Sequence, residues 1–377
     1  MIAELLFAVA ITNVHVVPMN ENRVLRNHVV VVGEGRIVSV GPAATTAIPA
    51  DATRIDGQGG YLIPGLIDLH AHLGDEQAGS PHYTGFAEHG VTTILLAGDG
   101  EAGLALRDSK HDGAPNVVAC GDSITGLATP ADAERIVAEQ KAAGYDCVKI
   151  YNDIDATALP VLVDAARKRN MLSIAHIPRN LTWQQMLAAK PDAIAHLEEF
   201  LYSPVDVGDD YIIVGQLVQH DIAVISTLTT YDRITRHVAA NKPYLTIKIE
   251  NVPNMRRLLA FQKSLAKTLH DAGRRVLAGT DAGGPPFVLP GLSMSDELRQ
   301  LVSAGLTPYE ALRAATAHAA KFLRRPDLGT IAAGNVADLV LLRGNPLSDI
   351  DNVDLRAGVM VRGKWRAVSS GSSSSRR

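Results

Sequence analysis

The 377-residue chain is predicted to adopt an α/β fold: a closed parallel (β/α)8 barrel of the TIM type, carrying a small β-sandwich-like domain formed by the N- and C-terminal segments. Three observations predict it. The middle of the chain alternates short apolar strand-like runs with amphipathic helix-like runs. There are eight such strand runs, enough to close a barrel. The two ends instead show β patterns broken by turn residues, and neither is long enough to close a core alone.

From Ala10 to about Ile55 the chain reads as strands and turns: ITNVHVV, NHVVVV, a Gly33–Glu34–Gly35 turn, then RIVSVG. A matching block, GTIAAGNVADLVLLRG and GVMVRGKW, lies near the other end. The small β domain is therefore assigned to 1–60 and 326–368, the barrel to 61–325, and the serine-rich SSGSSSSRR at 369–377 to a disordered tail. The barrel strands are LIDLHAH, VTTILLAG, NVVACG, CVKIY, LSIAHI, AIAHLEE, IAVISTLTTY and RVLAGTD. Thr129 followed by Pro130 marks a helix start over 130–143. Met255, Leu258, Leu259, Leu265 and Leu269 form a helical stripe. Thr307-Pro308-Tyr309-Glu310 is a capping box that opens a helix running through Lys321. An open doubly wound sheet is the alternative, but no GxGxxG segment follows any strand.

Composition narrows the function classes. The chain is 46% hydrophobic and 20% charged with a net charge of −4, and shows no Lys/Arg stripe. A globular protein acting on a small molecule is expected, with no nucleic-acid or membrane partner; a homo-oligomer is compatible. No apolar run approaches the roughly 20 residues of a membrane helix. The segment MIAELLFAVAITNV is interrupted by Glu4 and preceded by no Lys or Arg, which disfavours a signal peptide and points to the cytoplasm. Cys120 and Cys147 sit in apolar runs without C-x-x-C spacing, so buried free thiols are expected, as in a reducing compartment.

The stretch Pro64–His72, PGLIDLHAH, carries the first chemistry. Read as a strand, it puts Asp68, His70 and His72 on one face and Ile67, Leu69 and Ala71 on the other. In a barrel, functional groups gather at the carboxyl ends of strands. There the sequence offers His70 and His72 on strand one, Lys149 on strand four, His176 on strand five, His196 on strand six and Asp281 on strand eight. A lysine within an apolar strand needs a partner or a modification. Each residue also has an ordinary reading: His176 and His196 as core histidines, Lys149 paired with Asp153, Asp281 opening a turn. Asp68 is read as a supporting polar residue, and His318 as packing. His15, His28, His220, His237 and His270 are read as surface or packing residues. Glu198 and Glu199 either orient His196, meet a basic substrate group or form a solvated acidic turn.

Together with GVTTILLAG, AGYDCVKIY, SIAH, IAHLEE, AGTDAG, LTPYEALRAAT and GNVADLVLL, these residues give a chain that resembles the amidohydrolase superfamily, in its imidazolonepropionase-like and prolidase-like branch. The resemblance implies that His70, His72 and Asp281 hold one divalent ion, and His176 and His196 a second. It implies that Lys149 is N6-carboxylated and bridges the two, with zinc the metal suited to imidazole and carboxylate donors. A bridging hydroxide would then be the nucleophile and Asp281 the proton shuttle. Tyr231, at the end of strand seven, resembles the tyrosine that hydrogen-bonds the scissile group in prolidase-like members.

The expected reaction is hydrolysis of an amide bond in a dipeptide or N-acyl amino acid. A cyclic amide, a lactone or a phosphotriester are alternatives using the same site, as is a mononuclear site; a non-catalytic scaffold is the remaining one. The chain departs from prolidase-like members after strand three, where GDSITGLATPADAE contains no histidine. That departure bears on substrate recognition, as do the loops LGDEQAGSPHY and PPFVLPG.

Overall fold

The computed structural model describes residues 8–368 apart from 75, 78, 110 and 202–209. The serine-rich tail lies outside the described residues. The chain forms a mixed α/β fold. It begins with β1 (Val9–Val16), β2 (Leu25–Gly33), β3 (Arg36–Pro42) and β4 (Thr53–Pro64). The parallel strands follow: β5 (Leu66–Ala71), β6 (Val91–Leu96), β7 (Asn116–Ala119), β8 (Cys147–Ile150), β9 (Leu172–Ala175), β10 (Ala193–Ala195), β11 (Ala223–Ile225) and β12 (Val276–Leu277). The chain ends with β13 (Leu339–Leu342), β14 (Arg356–Val361) and β15 (Lys364–Ala367).

The terminal strands join in one hydrogen-bonded sheet of order β15-β14-β13-β4-β1-β2-β3. Antiparallel pairing of β13 with β4 brings the chain ends together, Leu339 opposite Pro64 and Leu342 opposite Tyr61. β4 runs within two residues of β5, so this sheet leads straight into PGLIDLHAH.

All eight central strand runs form strands, in a parallel sheet β5-β6-β7 and a parallel sheet β12-β11-β10-β9-β8. The parallel bridges Cys120↔Cys147 and Ile124↔Ile150 join one edge of the two sheets, and Ala71↔Ala282 joins the other. Between the sheets lies an apolar cluster that includes Ile67, Leu69, Leu95, Leu172, Ile174, Ile225 and Leu277, packed against Phe322 and Leu323. A separate cluster fills the space between strands and helices.

Local signals explain several helix starts. Thr129 accepts a hydrogen bond from the Asp132 N–H and Pro130 opens the helix Pro130–Ala142. Thr307 and Glu310 cap each other reciprocally. The helix that follows was expected to run through Lys321, but it breaks into Pro308–Ala314 and Ala317–Phe322. The carbonyls of Ala314 and Ala315 accept from Ala278 N–H and Ile67 N–H on the strands, so they are not available to continue the helix.

Two further expectations are corrected. The strict alternation along PGLIDLHAH fails: pairing with β6 shifts register between Asp68 and Ala71, Ile67 and Leu69 join the inner cluster, and Ala71 the outer one. A bulge-like irregularity of this kind re-aims the residues after it. Cys120 and Cys147 are joined in a disulfide, not free. They lie side by side where β7 meets β8, with Cα atoms 4.4 Å apart, a neighbourhood that a separation of 27 residues conceals in the sequence. The argument from free thiols to a reducing compartment therefore falls. Among the described residues, no helix is long and apolar enough to cross a membrane.

Because the disulfide closes a loop of 27 residues, the chain-entropy relation gives it about 3.5 kcal/mol. Thiol titration of the denatured, unreduced protein should find no free thiol, and a Cys120→Ala/Cys147→Ala variant should unfold at lower denaturant. Two titratable thiols in the native preparation would contradict the pairing.

Candidate metal centre

His70, His72, Lys149, His176, His196 and Asp281 converge at the carboxyl ends of their strands. Two sets of three have ligand atoms within 4.8 Å of one another: His70, His72 and Asp281, and His70, His176 and His196. His70 belongs to both. The Lys149 Nζ lies 3.4 Å from His70 Nε2. Asp281 Oδ1 lies 3.2 Å from His72 Nε2 and 3.6 Å from His70 Nε2. His196 and Asp281 both have left-handed backbones, with φ of 69° and 58°. Such conformations are uncommon outside glycine and concentrate at functional sites.

Three of the four imidazoles have a partner on the nitrogen facing away from the site. His72 Nδ1 lies 3.1 Å from Asp99, whose other oxygen accepts from the Leu73 and Gly74 N–H groups. His176 Nδ1 lies 3.1 Å from Glu199, which also accepts from Ile177 N–H and Arg179. His196 Nδ1 lies 2.8 Å from Thr227 Oγ1. The carboxylates call for a proton on Nδ1 of His72 and of His176, and all three contacts turn Nε2 toward the site. His70 Nδ1 is buried without a hydrogen-bond partner among the described residues. Asp68 supports the site from beneath, accepting from Thr280 N–H at 2.9 Å, Thr280 Oγ1 at 2.6 Å and His70 N–H at 3.2 Å. That places the segment carrying Asp281.

The electrostatics fit a cation-binding centre. Burial, reinforced by the Lys149 charge, lowers His70 and His176 well below the ordinary imidazole value, and burial lowers His196 to about 3. All three are neutral, as ligation requires. Burial also opposes a proton on His72, but hydrogen bonds to Asp281 and Asp99 raise it to about 9. Asp281 is held below the usual carboxylate range despite its burial, through His72 and the neighbouring positive groups. Burial lowers Lys149 to about 7. Its side chain is 1% exposed, and among the described residues no carboxylate, Asp153 included, forms an ion pair with it. Three neutral imidazoles, a fourth that exchanges its proton for a metal on ligation, one ionised carboxylate and one buried amine thus fit divalent metal.

Two glycines make the packing feasible. Gly98 has φ +101°, and a Cβ there would lie 2.3 Å from Ser123 Oγ and 3.5 Å from Lys149 Cγ. Gly283 has φ +86°, and a Cβ would meet the His72 carbonyl oxygen at 1.8 Å. Only glycine satisfies both the conformation and the space.

Tyr231 was expected at the end of a strand but stands in the first turns of the helix Leu228–Ala239, because β11 ends at Ile225. Burial and the Glu198 charge raise its hydroxyl to about 12. Of the alternatives for Glu199, a solvated turn is excluded by its burial; it pairs with His176 and not with His196. Tyr151 lies at the rim, its ring 4.8 Å from His176. Sequence reasoning missed Asp99 and Thr227; the only sequence signal for them is a polar residue just beyond the carboxyl end of a strand.

The chain is similar to several known proteins. A putative prolidase from Bifidobacterium longum superimposes with a TM-score of 0.81 at 28% identity, covering 96% of this chain and 95% of that one. A Xaa-Pro dipeptidase crystallised with methionine in its active site shares the fold, with a TM-score of 0.79 at 20% identity over 96% of this chain and all of that one (100%). The imidazolonepropionase of Mycolicibacterium smegmatis is 26% identical over 365 residues, 85% of each chain. Adenine deaminase 2 of Agrobacterium fabrum is 27% identical over 83% of this chain but only 51% of its own length. Residues 61–366 match the model of the amidohydrolase family, and the chain belongs to that family.

Proposed function

We propose that the protein is a binuclear metal-dependent amidohydrolase that cleaves a C–N amide bond in a dipeptide or N-acyl amino acid. The observation carrying this reading is the pair of ligand sets that share His70, with Lys149 Nζ beside the shared imidazole. In this reading the two parallel sheets form one closed eight-stranded TIM-type barrel spanning 61–325, and 1–60 with 326–368 form the small β domain. His70, His72 and Asp281 would hold one ion and His176 and His196 the other, with N6-carboxylated Lys149 between them and zinc as the metal. When bound, the metals supply Lewis acidity, polarising the scissile carbonyl and acidifying a water near neutral pH.

The chain's own groups do the rest. Lys149, lowered to about 7, is substantially unprotonated at neutral pH, as a lysine that takes up carbon dioxide must be. Asp281, ionised at neutral pH, accepts the proton of the attacking water and passes it to the leaving nitrogen. Tyr231, with its hydroxyl raised to about 12, keeps its proton and can donate a hydrogen bond to the developing oxyanion. Similarity to the putative prolidase of Bifidobacterium longum supports a dipeptide substrate. The 26% identical imidazolonepropionase favours a second reading, a cyclic amide opened by the same residues.

Three outcomes are expected. Lys149→Ala should lose both bound metal and, by several orders of magnitude, turnover of a dipeptide and N-acyl amino acid panel; a variant with two metals and wild-type activity would end the mechanism. Asp281→Asn should abolish turnover at neutral pH, and unchanged kcat would remove it as proton shuttle. The third concerns metal-free protein without carbon dioxide. Between pH 7 and 10.5 the unfolded lysine binds a proton that the folded one lacks, so folding stability gains as pH rises through that window. Urea unfolding should show the stability of wild type relative to Lys149→Met rising from pH 7 to pH 10; a flat difference would contradict the buried, depressed amine.

A further inference from the structure

Thr227 presents its hydroxyl to His196 Nδ1 at 2.8 Å, and it does so from an unfavourable conformation. Its φ is +46° and ψ 33°, left-handed values that a β-branched side chain rarely adopts. Something must over-determine that turn for it to persist.

The structure supplies Glu297, from the helix Leu292–Ser303, with 0% exposure. One carboxylate oxygen accepts the Ser226 hydroxyl proton, and the other accepts from Thr229 N–H at 2.7 Å. The Leu228 N–H donates to it as well. The residues on both sides of Thr227 are therefore tied to a single side chain. Ser226 is further fixed by its N–H to Leu277 O at 2.8 Å, and Thr230 by its hydroxyl to Thr280 O at 2.6 Å. A buried carboxylate is costly without a cation, and among the described residues Glu297 has no ion-pair partner. Its compensation comes from the donors of this one turn.

We propose that Glu297 is a positioning residue of the metal centre: it clamps Ser226 and Thr229 so that Thr227 presents its hydroxyl to His196 Nδ1 and aims Nε2 into the site. The inference rests on the metal-centre reading above. A plain stabilising role at the start of the helix Leu228–Ala239 is the competing account. The two differ in whether Glu297 and Thr227 act through the same imidazole.

A double-mutant cycle separates them. Glu297→Gln, Thr227→Val and the double variant are titrated with zinc against a competing chelator, and the His196 imidazole is followed by nitrogen-15 NMR in metal-free protein. Thr227→Val keeps the β-branched shape and loses only the hydroxyl, and Thr227→Ser serves as the rescue. Each single variant should weaken one zinc site by about 10- to 100-fold, the double variant no further than the weaker single, and Thr227→Ser should stay near wild type. The His196 signals should move in the same variants. Effects that multiply in the double variant, or a Glu297→Gln protein with wild-type His196 signals, would overturn the inference. If Glu297→Gln does not fold, Ser226→Ala, which loosens the same carboxylate, replaces it in the cycle. Wild-type protein that takes up no zinc would instead end the metal-centre reading, while the metal-free signals would still decide the positioning role.

Discussion

An amine buried to 1% exposure beside His70, His176 and His196 is the constraint around which the site is arranged. Lysine is almost never buried without a partner, because desolvating an ammonium costs more than packing its methylenes returns. At Lys149 the cost appears as a pKa pulled down to about 7, with Asp281, Glu199 and Asp99 opposing the shift only from a distance. The surroundings are built for that side chain: Gly98 leaves the space beside its Cγ, and β8 is pinned to the end of β7 by the Cys120–Cys147 bridge two residues earlier. A largely unprotonated amine beside three neutral imidazoles and an ionised aspartate is a donor set in need of cations. Chemistry and packing point the same way here.

Much of this was legible in the sequence, for reasons of locality. The six converging residues are ligand-type side chains on five apolar runs, and a parallel α/β fold brings the carboxyl ends of such runs together. The caps at Thr129 and Thr307 are short-range patterns whose partners lie three residues away. What escaped depends on tertiary register. The irregularity between Asp68 and Ala71 is a property of pairing with β6, and no residue in PGLIDLHAH announces it. The disulfide needs two strand ends to be neighbours. The helix break at Ala315 arises from two carbonyls drawn to strands far away in sequence.

The groups that orient the histidines were the hardest to read. Asp99 reaches His72 from the next strand, Glu199 reaches His176 from a short 3-10 turn after β10, and Thr227 reaches His196 from the turn after β11. Each lies on a different strand end from the imidazole it serves, so the spacing encodes nothing. The loop after β7 carries no histidine and has Ser123 packed beside Gly98, while the Tyr151 ring lies against His176.

The central claim, a metal pair joined through a modified lysine, is tested most directly by anomalous diffraction at the zinc edge from crystals grown with zinc and bicarbonate. The account predicts two anomalous peaks, one among His70, His72 and Asp281 and one beside His176 and His196, with carboxylate density extending from Lys149 Nζ to both. A single peak with an unmodified Lys149, or zinc bound away from these residues, would contradict it.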